Sequence, residues 1–400
     1  MERRRNKKWI VRLAGFWLGF ATAHASIEPG IDVLASHDYS LLAGKRVGLI
    51  TNQTGVNANG TKTRLLLKRH CNLVALYTPE HGLDGTEKAG RYVKSRRDPL
   101  TGVIAHSLYG PTRKPTPEML RGVDVLVFDL QDIGCRSYTY ISTMGRCMEA
   151  AGENRIPFVV LDRPNPVGGL RVEGPSVEPA WRSFVSEFPI PYVYGLTVGE
   201  LARMINERHW ISTPCNLTVV PMRGWERGMT WDDTGLRWVA SSPNIPHSDS
   251  PLYYIATGLV GELSGVEVGI PGPRPFQSIG ARWLNSESFT RYLRSIETPG
   301  VQFRPWRDGP TEGSSLAISP DAAANLTGLG VYLLSAMNRQ IQPDIFRRTS
   351  ASKLDLFYKV CGGTFIRTQM REGESTSRIV AAWHSNEREF RKIREKYLLY

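Results

Sequence analysis

Apolar, β-branched runs that stop abruptly in polar clusters recur in the first half of the chain: RVGLITNQ at 46–53, CNLVALYTPEH at 71–81, VDVLVFDLQD at 123–132 and PFVVLDRPNP at 157–166. Each is apolar on successive residues rather than alternate ones, as expected of strands covered on both faces in a parallel sheet. Segments with a helical repeat separate them, at 61–70, from Thr116-Pro117-Glu118 onward, and at 138–155. Parallel strands need such crossovers. Thr197 and Glu200, at capping-box spacing, open another helix at 197–210 that leads to a short strand at 217–221. These elements predict an α/β, Rossmann-like parallel sheet. In such sheets ligands bind beyond the carboxyl ends of the strands. The clusters Asn52–Gln53, Glu80–His81, Asp129–Gln131–Asp132 and Asp162–Arg163–Asn165 are therefore expected to meet in one crevice.

Beyond about residue 225 the pattern changes. Helical repeats at 286–296, 323–339 and 377–397 and strand candidates at 301–306 and 315–319 predict a smaller α+β domain over 226–400 that closes the cleft. Four hundred residues exceed the usual size of a single core, which supports two domains, 26–225 and 226–400. The polar stretch 82–115 shows no periodicity and predicts a long loop.

Residues 1–25 carry a basic start, an apolar stretch from Trp9 to Thr22 and an Ala23-His24-Ala25 cleavage motif. That is the layout of a secretory signal, so a periplasmic or secreted protein with no stable membrane span is expected. Removing this segment takes away six basic residues and Glu2, lowering the net charge from +12 to about 12 − 5 = +7. No basic run is interleaved with aromatics, which argues against nucleic-acid binding. The five cysteines are widely spaced without a C-x-x-C pair, which excludes a zinc ribbon or thioredoxin motif.

No phosphate-cradling glycine loop follows the first strand, where TNQTGVNANG stands instead. No G-x-S-x-G elbow or H-x-x-x-H pair occurs either. Neither cofactor nor metal is expected. What remains is a lining of carboxylates, amides, arginines and tyrosines, with Arg136 and Tyr138 just beyond Asp132. Such a lining suits a hydroxyl-rich ligand. Glu80, at a strand end half shielded from water, is the candidate general acid. Glycoside hydrolysis usually needs a second carboxyl group, and several are available.

The motifs YTPEHG at 77–82, VFDLQDIGCRSYTYISTM at 127–144, LDRPNPVGG at 161–169, SSPNIP at 241–246 and REKYLLY at 394–400 occur in an order that resembles the NamZ-type exo-β-N-acetylmuramidases, earlier an uncharacterised family, DUF1343. The resemblance spans about residues 30–400. It implies a Rossmann-like domain, a smaller second domain, and release of N-acetylmuramic acid from peptidoglycan-derived muramyl glycans. It places the family's strand-end glutamate on Glu80, and offers Asp129, Asp132 or Glu262 as the second carboxylate or the substrate's 2-acetamido group as nucleophile. Asn52, Gln53, His81, Gln131, Tyr138, Asp162, Asn165 and Asn244 become substrate contacts. Arg136, Arg163 and Arg274 are the candidates for the lactyl carboxylate, which an Arg fork matches with two hydrogen bonds. One loop departs from the pattern: VGELSGVEVGIPGPRPF at 260–276 keeps Glu262 but has Val268 at a second glutamate position. That departure leaves a non-catalytic wall-fragment binder as one alternative, and a cell-wall amidase or esterase using His81 as another.

Overall fold

The computed structural model describes residues 27–400, so the expected signal segment lies outside the described residues. The four apolar runs form strands β1 (Arg46–Thr51), β2 (Asn72–Thr78), β5 (Val125–Asp129) and β6 (Phe158–Leu161), with β7 at Leu217–Val220. Two further strands, β3 (Arg96–Arg97) and β4 (Ile104–Ser107), lie inside the stretch expected to be loop. The seven order as β3-β4-β2-β1-β5-β6-β7, parallel except for β3 at one edge. The order runs outward from β1 in both directions, so the chain reverses between β1 and β5. Register there sets Thr51 opposite Asp129, and on the other flank Thr78 opposite Ser107.

The long stretch after β2 is ordered for a specific reason. Arg64, on the helix Thr63–His70, is buried with Asp98 at 3.4 Å, and its Nη1 donates to the Leu83 carbonyl at 3.3 Å. Asp98 in turn accepts from the Thr101 hydroxyl at 2.7 Å. A buried charge without its partner would be strongly unfavourable, so this pair pins both ends of the segment to the sheet.

Elsewhere the prediction needed correction. Thr116 caps one turn only, through Met119 N to its hydroxyl at 3.3 Å, and no helix follows. Gly122, at φ +80, breaks the chain first. The helix expected over 377–397 is split into Thr376–Ala381 and His384–Arg394.

The second unit carries an antiparallel sheet of order β8-β10-β9, from Ser278–Ala281, Thr311–Ile318 and Val301–Asp308, packed under helices that include Leu326–Asn338 and Ala351–Cys361. One apolar core runs from Ile50 through Tyr397 and joins the units without a break. All five cysteines are free thiols. The end of the chain is stitched onto the first sheet: the Tyr400 hydroxyl donates to Asp162 at 2.8 Å and accepts from Met222 N at 2.7 Å, and Leu399 N donates to Glu200 at 2.8 Å. Among the described residues no helix is long and apolar enough to cross a membrane.

Candidate active site

Glu80 sits two residues past β2, only 9% exposed. Its Oε2 accepts from the Thr139 hydroxyl and its Oε1 from the Gly90 amide, both at 2.8 Å. Thr139 immediately precedes the helix Tyr140–Glu153, so the carboxyl group faces a helix amino terminus. Tyr109 approaches from the neighbouring strand. The Thr78–Ser107 register and the Leu108 N to Thr78 O bond at 2.9 Å carry it past the end of β4 to Glu80. Burial, and then the nearby Glu80 carboxylate, push Tyr109 up to about 12. His81 holds the turn behind the carboxylate. It is buried at φ +68, a region that non-glycine residues rarely occupy, and its Nδ1 bonds the Glu87 carbonyl at 2.6 Å. Among the described residues no three His, Cys, Asp or Glu side chains gather as a metal site.

The centre of the expected crevice is occupied by the chain itself. Segment 240–241 crosses the strand ends: Gln53 Nε2 donates to the Ala240 carbonyl at 2.7 Å, and the Tyr140 hydroxyl to the Ser241 carbonyl at 2.7 Å. The Tyr138 hydroxyl bonds Ser241 Oγ at 2.9 Å. Asn52 donates to Tyr140 at 2.8 Å while its Oδ1 accepts from Thr54 N, also at 2.8 Å. Asn52, Gln53 and Tyr138 thus build the wall beside Glu80. Beyond Ala240, where the chain reverses between β1 and β5, lies a cavity of about 280 Å³ lined by Gln131, Arg163, Trp231 and Trp238. No carboxylate lines it, so it offers no proton donor for acid catalysis.

Several predicted ligands are committed to the protein. Asp129 is fully buried and paired with Arg163 Nε, whose Nη2 donates to the Val56 carbonyl at 2.6 Å. Asp162 accepts from Gly199 N at 2.7 Å, Thr197 Oγ1 at 2.7 Å and Tyr400, so it is spent on the first turn of the helix Val198–Glu207, whose own cap is Thr197 in a capping box with Glu200. Asn165 closes its own turn through Val167 N at 3.1 Å. Gln131 Nε2 bonds the Asp132 and Pro164 carbonyls, each at 2.8 Å. Arg136 is completely buried, and its guanidinium donates to the carbonyls of Pro175, Ile190, Val360 and Cys361. It joins the two units and is closed to any ligand. Arg274 is exposed on the second unit with one long bond, 3.4 Å, to Gln277. Glu262 is half-buried beside Lys353, and burial raises its pKa above the ordinary range. Asn244 is half-buried with no hydrogen bond to its side chain among the described residues.

Asp132 is different again. Its Oδ2 accepts from Tyr194 and from Gly134 N, its Oδ1 has no partner, and burial pushes the carboxyl up to about 7. The folded state therefore holds this proton more tightly than the unfolded chain, where the group titrates near 3.8. Its contribution to stability is complete below about pH 4 and is lost as pH rises through about 7. Asp162, raised to about 6, acts in the same direction. Asp132→Asn cannot ionise, so melting temperatures followed from about pH 4 to pH 8 should decline less steeply in the variant. Parallel curves would remove Asp132 as the source.

A carboxyl group fixed among hydroxyls at a parallel-strand end, with no nucleotide loop in the fold, defines an α/β enzyme of proton-transfer chemistry on a polar substrate. Family models described as exo-β-N-acetylmuramidase NamZ match the chain, the N-terminal model over residues 47–249 and the C-terminal one over 252–400. The chain belongs to this family and is a glycosidase. It is 41% identical to the peptidoglycan β-N-acetylmuramidase NamZ of Bacillus subtilis (strain 168) over 385 residues, 94% of this chain and 91% of that protein. Crystal structures of two DUF1343 family proteins from Bacteroides fragilis NCTC 9343 share the fold. One has a TM-score of 0.88 at 43% identity, the other 0.68 at 28%; each alignment covers 94% of this chain and 99% of the other.

Proposed function

We propose that the chain is an exported exo-β-N-acetylmuramidase that releases N-acetylmuramic acid from the non-reducing ends of peptidoglycan fragments, with Glu80 as general acid. The observation that carries this is the placement of Glu80 within the PEHG turn, both oxygens oriented by Thr139 and Gly90. The similarity to the Bacillus subtilis enzyme supplies the substrate class. Export rests on the basic start, apolar stretch and Ala23-His24-Ala25 motif of residues 1–25.

Glu80 protonates the glycosidic oxygen as the bond to the anomeric carbon breaks. Asp129 is buried against Arg163, Asp132 is enclosed with Tyr194 and Gly134, and Glu262 stands beside Lys353, so the nucleophile is assigned to the substrate's own 2-acetamido oxygen, which closes a ring onto the anomeric carbon. Water then opens that ring and gives its proton to the Glu80 carboxylate, which restores the acid. The altered loop at 260–276 bonds Gly280, Thr257 and Gln277 and forms no hydrogen bond with Glu80, so its departure leaves the proton donor intact.

A pair of chromogenic substrates tests this reading. The 4-nitrophenyl glycoside of β-N-acetylmuramic acid should release 4-nitrophenol, and its analogue with a 2-hydroxyl in place of the acetamido group should not. No release from the first contradicts the function. Equal release from both contradicts the acetamido role alone.

A further inference from the structure

Arg136 is buried among carbonyls and Arg163 is paired with Asp129 beyond Ala240, so neither is placed to receive, beside Glu80, the lactyl carboxylate that distinguishes muramic acid from glucosamine. The Glu80 side of the wall supplies a cation that sequence reasoning passed over. Arg113 lies in the stretch after β4, exposed to solvent. Its guanidinium carbon stands 4.9 Å from the centroid of the Tyr109 ring and 4.2 Å from that of Phe184. The two rings are 6.1 Å apart and tilted by 50°, which makes them a cleft for a flat cation. Arg113 has no acidic partner and no hydrogen bond among the described residues, so its fork of N–H donors is held in position and unspent.

The position has a consequence for the substrate. Tyr109 lies beside Glu80 across the β2–β4 register, close enough for the carboxylate to raise its pKa, and the same tyrosine presents its ring face to the arginine. The guanidinium is thus separated from the Glu80 carboxylate by the length of one phenol and a polar contact, on the order of 10 Å. That is the scale of one pyranose with its O3 substituent. A sugar with its glycosidic oxygen at Glu80 can then extend an O3-linked acid toward Arg113. Aromatic faces hold an arginine by its delocalised charge and leave its edge free, and that edge is what a carboxylate binds with two parallel bonds.

We propose that Arg113, clamped by Tyr109 and Phe184, is the receptor for the lactyl carboxylate and so the residue that selects muramic acid over glucosamine. This rests on the muramidase reading above, and the test separates the two. It compares kcat/KM of the wild type, Arg113→Met and Arg113→Lys on the 4-nitrophenyl glycoside of β-N-acetylmuramic acid and on its lactyl methyl ester. For the wild type, esterification should lower kcat/KM tenfold or more. Arg113→Met should start near that lower value and show no further loss on esterification. Arg113→Lys should fall between, because a point charge replaces the fork. A wild type that hydrolyses neither substrate overturns the muramidase reading and this assignment with it. A wild type sensitive to esterification together with an equally sensitive Arg113→Met protein overturns the assignment alone, since the carboxylate is then read elsewhere. A methionine variant with wild-type kcat/KM on the free acid overturns it too. Should Arg113→Met melt early, the lysine variant carries the comparison, and its insensitivity to the substitution would count against the proposal in the same way.

Discussion

Glu80→Gln should lose turnover almost completely while keeping the fold and the ability to bind. Glutamine fills the same space; its one oxygen can accept from the Gly90 amide while its amide nitrogen faces the Thr139 hydroxyl, which can turn to accept. It has no proton to give the leaving oxygen, and a positioned general acid accounts for roughly 10²–10⁴ in rate. The loss should therefore sit in kcat on the chromogenic muramide, with KM little changed, because the missing interaction belongs to the transition state. A leaving group that needs no protonation, such as fluoride, should recover part of the rate. Wild-type turnover by Glu80→Gln would remove Glu80 from the mechanism and reopen the search among Asp132 and Glu262.

Arg136→Met should be the most destabilising of the single changes considered, although it alters no group in contact with substrate. The guanidinium ties Pro175 and Ile190, in the loops of the first unit, to Val360 and Cys361, which end the helix Ala351–Cys361 of the second. A cation at that end also complements the helix dipole. Burial works against the charge and lowers the Arg136 pKa to about 10. Methionine relieves that cost but leaves four carbonyls facing a side chain that cannot donate. Stranding buried acceptors costs about 1–3 kcal/mol each, and some will rotate toward water, so the net loss is about 3 kcal/mol. Lysine should rescue little, because three donors on a flexible stem cannot reach carbonyls from both units. An unchanged melting temperature in Arg136→Met would show that the apolar core alone holds the units together.

These two residues also mark how far the sequence could be read. Strands β1, β2, β5 and β6 were legible because a doubly covered strand must be apolar on successive residues, and only such a strand explains VLVFD or FVVL. Glu80 was legible because its position follows from the end of β2. The strand β4 was not: IAHS is short and half polar, so it carries no period, and Tyr109 and Arg113 beyond it went unseen with it. Arg136 was read as a ligand because arginine among tyrosines and carboxylates looks like a binding group. Its carbonyl partners lie 39 to 225 residues away, and no local pattern announces them. Asp162 repeats the lesson, since one of its donors is Tyr400 at the far end of the chain. The single crevice failed for a related reason: the SSPNIP segment was recognised as irregular, but only the fold shows Ser241 seated across the strand ends.

The most direct test of exo-acting muramidase activity is product analysis of peptidoglycan fragments of defined length by mass spectrometry. Incubation with the protein should release free N-acetylmuramic acid from fragments with that sugar at the non-reducing end, shortening each by one residue. Fragments capped there by N-acetylglucosamine should be left intact. Internal cleavage, loss of peptide without loss of sugar, or unchanged fragments of the first kind would each contradict it.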